Sequence, residues 1–190
     1  MYKEETVTTD LTVWGLDESV INQIIEYADN QDNWAKLRDS GFKINGKIYS
    51  RVAGYVIGAK PKWVKWFDSA TKKKFDKPET IYRTDPPDRE DALDFTERCD
   101  IRIKTTDGNI VNIDLAPSSY RNFSVKVREI MQGGKKLDEI ILGAWVDEAK
   151  SKDGNMFPVI VFEYLDESGN VIPEPPWVGQ ITSEDDDIKY

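Results

Sequence analysis

Hydrophobic positions along this chain change period twice. Leu16, Val20, Ile21, Ile24 and Ile25, then Trp34 and Leu37, recur at three- and four-residue spacing, the period of one helix face. Asp17 or Ser19 can cap its start and Gly41 fits a C-terminal stop, while Asp29-Asn30 to Asp32-Asn33 divides it into two shorter helices. Residues 1–42 are therefore predicted to be a helical extension.

Strand texture comes next. Lys47 to Ile57 (KIYSRVAGYVI) alternates loosely and is rich in β-branched and aromatic residues, with Gly54 and Gly58 marking a bulge or bend. Pro61 interrupts it, and Trp63 to Phe67 resumes in extended form. Residues 68–98 hold Pro78, Pro86, Pro87 and many charges, which predicts a long loop. Cys99 to Thr105 and Asn109 to Leu115 both alternate around Asp107-Gly108, a turn able to take positive φ, and so form a hairpin. A helix begins after the cap region Pro117-Ser118-Ser119, with Phe123, Val127, Ile130 and Met131 as its apolar stripe and Gly133-Gly134 as its stop. Glu139 to Val146 and Phe157 to Leu165 form a second hairpin around Asp153-Gly154-Asn155. The tail, 168–190, contains Pro173, Pro175 and Pro176 and an acid run, and is expected to be extended except near Trp177.

Composition narrows the chemistry. The 190 residues include no histidine and a single cysteine, Cys99, so a Ser-His-Asp triad, a histidine metal ligand and an intrachain disulfide are all excluded. One cysteine fits a reducing, cytoplasmic setting. No apolar stretch approaches the ~20 residues that span a bilayer, and the acidic N-terminus lacks the apolar region of a signal peptide. A soluble intracellular protein without membrane association or cofactor is expected.

The net charge of −9 is unevenly spread. Residues 1–42 carry −6, 43–77 carry +8, 85–100 carry −5 and 163–190 carry −7. The basic block is also aromatic: Tyr55, Trp63, Trp66 and Phe67 are interleaved with Lys60, Lys62, Lys65 and the run Lys72-Lys73-Lys74. Cations that track phosphates and rings that stack on bases are what single-strand binders combine. In a regular strand Trp63 and Phe67 face away from Trp66, so one set enters the core. Trp66, with the lysines around it, is the expected exposed ring, and Tyr120 and Arg121 are further candidates. The acidic stretch 85–100 reads either as a solvated linker or as a partner of the adjacent basic block. Cys99 reads as a small packed residue.

Strand, long loop, strand, tight turn, strand, helix, strand, hairpin loop, strand, over residues 46–166, resembles the element order of an OB-fold barrel. The resemblance implies a mainly β, five-stranded barrel over 43–167, with its binding face on the middle strands. Flanking loops fall at 68–98 and at 150–156, the latter bearing Lys150 and Lys152. An OB core with an acidic tail after it is similar to bacterial and phage single-stranded-DNA-binding proteins. That similarity implies that the tail, here Glu184, Asp185, Asp186, Asp187 and the terminal Tyr190, recruits replication or repair proteins. The tail departs from the family in ending Asp187-Ile188-Lys189-Tyr190 rather than in phenylalanine.

The leading expectation is a non-enzymatic protein that binds single-stranded nucleic acid, DNA above RNA, with little sequence preference. Two alternatives remain open. One is an interaction adaptor or nucleic-acid-mimicking inhibitor of viral or plasmid origin, suggested by the acidic ends. The other is a magnesium-dependent nuclease using Asp85, Asp88, Glu90, Asp91 and Asp94, disfavoured because these carboxylates sit in a proline-rich segment.

Overall fold

The computed structural model describes residues 33–38 and 41–177. The helix expected over 16–32 and the acidic tail with Glu184, Asp185, Asp186, Asp187 and Tyr190 lie outside the described residues. Within them the chain is mainly β, with ten strands and one α-helix. The strands are β1 (Trp34–Arg38), β2 (Gly41–Ile44), β3 (Lys47–Tyr49), β4 (Arg51–Asp68), β5 (Lys73–Ile81), β6 (Phe95–Thr105), β7 (Ile110–Leu115), β8 (Ile141–Lys150), β9 (Met156–Leu165) and β10 (Val171–Ile172). The helix α1 spans Pro117–Gln132 between β7 and β8. All strands join one open sheet in the order β10-β9-β8-β4-β6-β7-β1-β2-β3, with β5 added on β4.

Strand β4 runs for 18 residues and holds the sheet together. Its first residues, Arg51 to Tyr55, pair with Trp145 to Ile141 of β8. Gly54 to Lys65 pair with Thr105 to Phe95 of β6, and Trp63 to Asp68 pair with β5. A bulge between Val56 and Gly58 shifts the alternation, so that Val52, Val56 and Ala59 all reach the core. Gly54 serves close approach: a Cβ there would lie 2.1 Å from the Lys104 carbonyl oxygen.

The two hairpins form in the register their alternation requires. Ile101 faces Ile113 and Ile103 faces Val111 across β6 and β7, and all four are buried. Gly108 closes that turn at φ 87°, a left-handed conformation that favours glycine. Helix α1 buries Phe123, Val127 and Ile130 of its expected apolar stripe but leaves Met131 exposed, and Phe123 packs against Phe162 of β9 at 5.3 Å between ring centroids. Pro117 occupies the first turn, where its missing N–H costs nothing. Ser119 does not cap the helix. Its Oγ accepts the Ile160 N–H, and Asn122 Nδ2 donates to the Ile160 carbonyl, so two polar side chains fasten α1 to β9.

Four expectations are corrected. Pro61 does not interrupt the strand: β4 runs through it and pairs it with Cys99 of β6. Trp34–Arg38 and the start of Gly41–Ile44, placed in the helical extension by their spacing, are not helical but form β1 and β2. Trp34 and Ala35 pair with Asn112 and Ile113 along the outer edge of β7, an edge that would otherwise present unpaired backbone groups. Phe42 continues into the core, fully buried. The segment 68–98 is not a long loop, because β5 and the start of β6 lie within it. The barrel is not closed: among the described residues β7 and β9 do not pair, and the sheet stays open. Beyond Leu165 the chain adds β10 to the edge of β9, and Trp177 stacks edge-on against Tyr164 at 5.5 Å.

The close approach at Gly54 yields a test. Gly54→Ala forces the added methyl into the β6 backbone and is expected to destabilise the fold by about 3 kcal/mol, as overpacking does. A urea midpoint unchanged from wild type would contradict this packing of β4 on β6.

Candidate nucleic-acid interface

The basic block of the sequence separates into two parts with different electrostatic fates. The first lies where β4 is flanked by β6. Lys62 is 8% exposed, and its Nζ donates to Asp100 at 2.6 Å and sits 3.3 Å from Asp114. Arg98, the cross-strand partner of Lys62, grips Asp114 with two bonds of 3.0 Å. Lys60 places its ammonium 3.8 Å from the centre of the Tyr82 ring, and burial pulls its pKa down. The Tyr82 hydroxyl lies 3.4 Å from Asp100, whose own pKa burial pushes up against the pull of Lys62. These are charges joined to one another across the outer side of the sheet.

Lys65 is the clearest case. It is 2% exposed, and its ammonium lies 2.6 Å from Asp91, 3.0 Å from Asp68 and 3.7 Å from Asp94. The same carboxylates hold the backbone around them. Asp68 accepts the Thr71 N–H and Asp94 accepts the Ser69 N–H, each at 2.9 Å. Arg89 binds Asp91 and also Glu79 on β5. One ammonium thus ties together β4, the turn after it and the segment 89–94. Of the two readings of the acidic stretch 85–100, pairing with the basic block is the one realised: Asp91, Asp94 and Asp100 are its partners. Asp91 and Asp94 are accordingly occupied, and among the described residues no group of carboxylates is arranged to hold a metal ion.

The second part begins where β6 ends. Phe95, the first residue of β6, is opposite Lys65, so from Trp66 onward β4 continues with β5 beside it and no β6 on its other edge. Loss of that neighbour uncovers the next two side chains: Trp66 is 47% and Phe67 43% exposed. Strict alternation would have buried one of the two. The register breaks between Lys65 and Phe67, and Phe67 then pairs with Lys74 and Asp68 with Lys73. Lys72, Lys73, Lys74 and Lys77 are all exposed, and none forms an ion pair among the described residues. Lys72 sits in the turn at φ 57°, a left-handed conformation unusual for a residue with a side chain. The tip of the β4–β5 arm therefore carries two open rings and four uncompensated cations.

The remaining candidates are scattered. Trp63 is partly buried and its Nε1 donates to the Thr84 carbonyl at 3.3 Å. Tyr55 lines a cavity of about 570 Å³ with Ile140, Ile141, Leu165 and Trp177, away from the arm. Tyr120 is half-buried at the start of α1, with its pKa raised chiefly by burial, and Arg121 beside it is exposed. Lys150 and Lys152 are exposed but lie past Trp145, which pairs with Arg51 at the beginning of β4. The arm tip is at the other end of β4, so the two loops expected to flank one site are not brought together. Sequence reasoning passed over Tyr82, Arg98 and Lys77. Lys77 was within reach as part of the +8 block, whereas Tyr82 and Arg98 gain meaning only through cross-strand register.

In comparison with known proteins, no family model, curated protein or solved structure matches this chain.

The Lys65 cluster sets a pH dependence. The Thr71 N–H and then the Lys65 ammonium hold the Asp68 carboxyl down to about 2, and Asp91 and Asp94 are lowered as well. A carboxyl depressed in the folded state stabilises the fold above its unfolded pKa, and that contribution is lost as pH falls through the folded value. Stability is expected to decline from about pH 4 towards pH 2, and Lys65→Met is expected to lower the melting temperature at pH 7 and flatten this decline. Thermal melts of both proteins across that range check it; parallel profiles would contradict the assignment.

Proposed function

We propose that this protein is non-enzymatic and binds single-stranded nucleic acid, DNA in the first instance, through the tip of the β4–β5 arm. The observation that carries the reading is the pairing of two exposed adjacent rings, Trp66 and Phe67, with Lys72, Lys73, Lys74 and Lys77, whose charges no acid neutralises among the described residues. Rings open to solvent stack on bases at about 1–3 kcal/mol each, and free cations neutralise phosphates. Lys62 and Lys65 play no such part. Their ammonium groups are buried against carboxylates, and a phosphate would have to displace Asp100 or Asp91 to reach them.

The scaffold under the arm is read as OB-like. The succession β4-β6-β7, then α1, then β8-β9 on the other edge of β4 supports that reading, as do the antiparallel pairings β4–β6, β6–β7, β4–β8 and β8–β9. In such a frame the arm elaborates the connection between the first two strands. Tyr82, with Lys60 against its ring, lies at the arm's base and offers a further surface to a strand leaving the tip.

Binding to a six-nucleotide single strand is expected to weaken with salt, with a slope of log K against log [salt] near −3 if all four lysines engage. Replacing Lys72, Lys73 and Lys74 together by glutamine reduces the slope to about −1. Lys150→Ala with Lys152→Ala leaves it unchanged. Fluorescence anisotropy at several salt concentrations measures all three. No binding at low salt, or equal slopes for wild type and the triple variant, would overturn the proposal.

A further inference from the structure

The surface left open for nucleic acid is short. A protein that coats single strands needs a basic groove that tracks the backbone over several nucleotides. Here three cations on the outer side of the sheet are paired with acids, Lys62 with Asp100 and Asp114, Arg98 with Asp114 and Lys65 with Asp68 and Asp91. Lys104 stands exposed on β6 with no exposed ring opposite it on either neighbouring strand. Exposed rings and a cluster of lysines without ion pairs among the described residues come together on the overhang of β4 and β5 beyond Phe95. Trp66 to Asp68 extend it by three residues, about 10 Å at the rise of a strand. Two rings and four lysines are gathered on that ribbon and its turn.

Duplex and single strand each satisfy half of this surface. A duplex presents one phosphate charge per ~1.7 Å of axis, about twice the density of one strand, and so suits four clustered cations better. In an intact duplex, however, base faces are covered by their neighbours, and Trp66 and Phe67 find nothing to stack on. A single strand has open base faces but dilute charge. Both conditions are met together where a duplex opens: the last base pair has a bare face, and two backbones diverge beside it. A projecting two-stranded ribbon is also narrow enough to enter such a fork, since ribbons of this kind fit the ~12 Å major groove.

We infer that the arm tip recognises the junction at which a duplex opens into single strand, an assignment that rests on the nucleic-acid reading above. Trp66 and Phe67 stack at the open end of the duplex, and Lys72, Lys73, Lys74 and Lys77 contact the phosphates on either side of it. Trp66 is the residue that separates a junction from a plain duplex, because charge alone does not.

The test compares a forked duplex with unpaired arms, an oligo-dT single strand of equal nucleotide number and a duplex closed at both ends by hairpin loops so that no base-pair face is bare, each fluorescently labelled and titrated with the full chain. The fork is expected to bind about tenfold more tightly than oligo-dT, with the closed duplex weakest because it offers no base face to the rings. Trp66→Ala should bring the fork down to the level of the closed duplex. Lys72, Lys73 and Lys74 replaced by glutamine should weaken all three ligands, and circular dichroism confirms that each variant is folded. Oligo-dT binding as tightly as the fork would overturn the junction assignment and leave the single-strand reading standing. Closed duplex equal to fork in the wild type would also overturn it, reducing recognition to charge. Phe67→Ala, less exposed and paired with Lys74, provides a second ring variant: a fork preference kept in both ring variants contradicts stacking. Absence of binding to every ligand at low salt removes both readings together.

Discussion

Strand β4 is longer than any of its partners, and the way it shares its edges arranges every other element. At its start it pairs with β8, along its middle with β6 and at its end with β5. The bulge at Val56 to Gly58 redirects its side chains so that both halves feed one core. The β8–β9 hairpin and α1 are thereby set against the β6–β7 meander, with Phe123, Phe162 and Tyr164 between them. The same length has a second consequence. Because β6 starts only opposite Lys65, the last residues of β4 run out beyond the sheet, and Trp66 and Phe67 emerge there because the neighbour that would cover them is missing.

An overhanging ribbon needs an anchor, and Lys65 supplies it. Its ammonium sits at the last position flanked by β6 and draws in Asp68 from the end of β4 and Asp91 and Asp94 from the segment leading into β6. Positive charge at residue 65 is therefore used in holding the arm, while positive charge at 72–74 and 77 stays available. Lysines a few residues apart in one basic block thus have opposite roles, and the strand edge between them marks the division.

Much of the architecture is legible from local pattern. The hairpin from Cys99 to Leu115 combines clean alternation with Asp107-Gly108, and α1 combines a 3.6-residue stripe with Pro117 and Gly133, so local and tertiary preferences agree. Misreadings fall where they disagree. Trp34 and Leu37 fit a helical spacing, but so short a segment cannot separate that period from a strand, and the deciding influence is the distant edge of β7. Strand β5 (KKFDKPETI) has no alternation and contains Pro78; it is extended because β4 reaches out to pair with it. The site shows the same limit. Its exposed cations and rings are visible as a basic-aromatic block, but the capture of Lys62 and Lys65 depends on Asp100, Asp91 and Asp94, which only the register of β4 on β6 brings near.

The proposed nucleic-acid contact falls on the end of the arm and not on the charge-paired side of the sheet. Photocrosslinking of a bromodeoxyuridine-substituted forked oligonucleotide, with peptide mapping of the adducts, distinguishes the two surfaces. Crosslinks concentrated in the peptides carrying Trp66, Phe67 and Lys72 to Lys77 are the predicted result. Crosslinks confined to peptides containing Arg98 to Lys104 or Lys150 to Lys152, with the arm unlabelled, would contradict it.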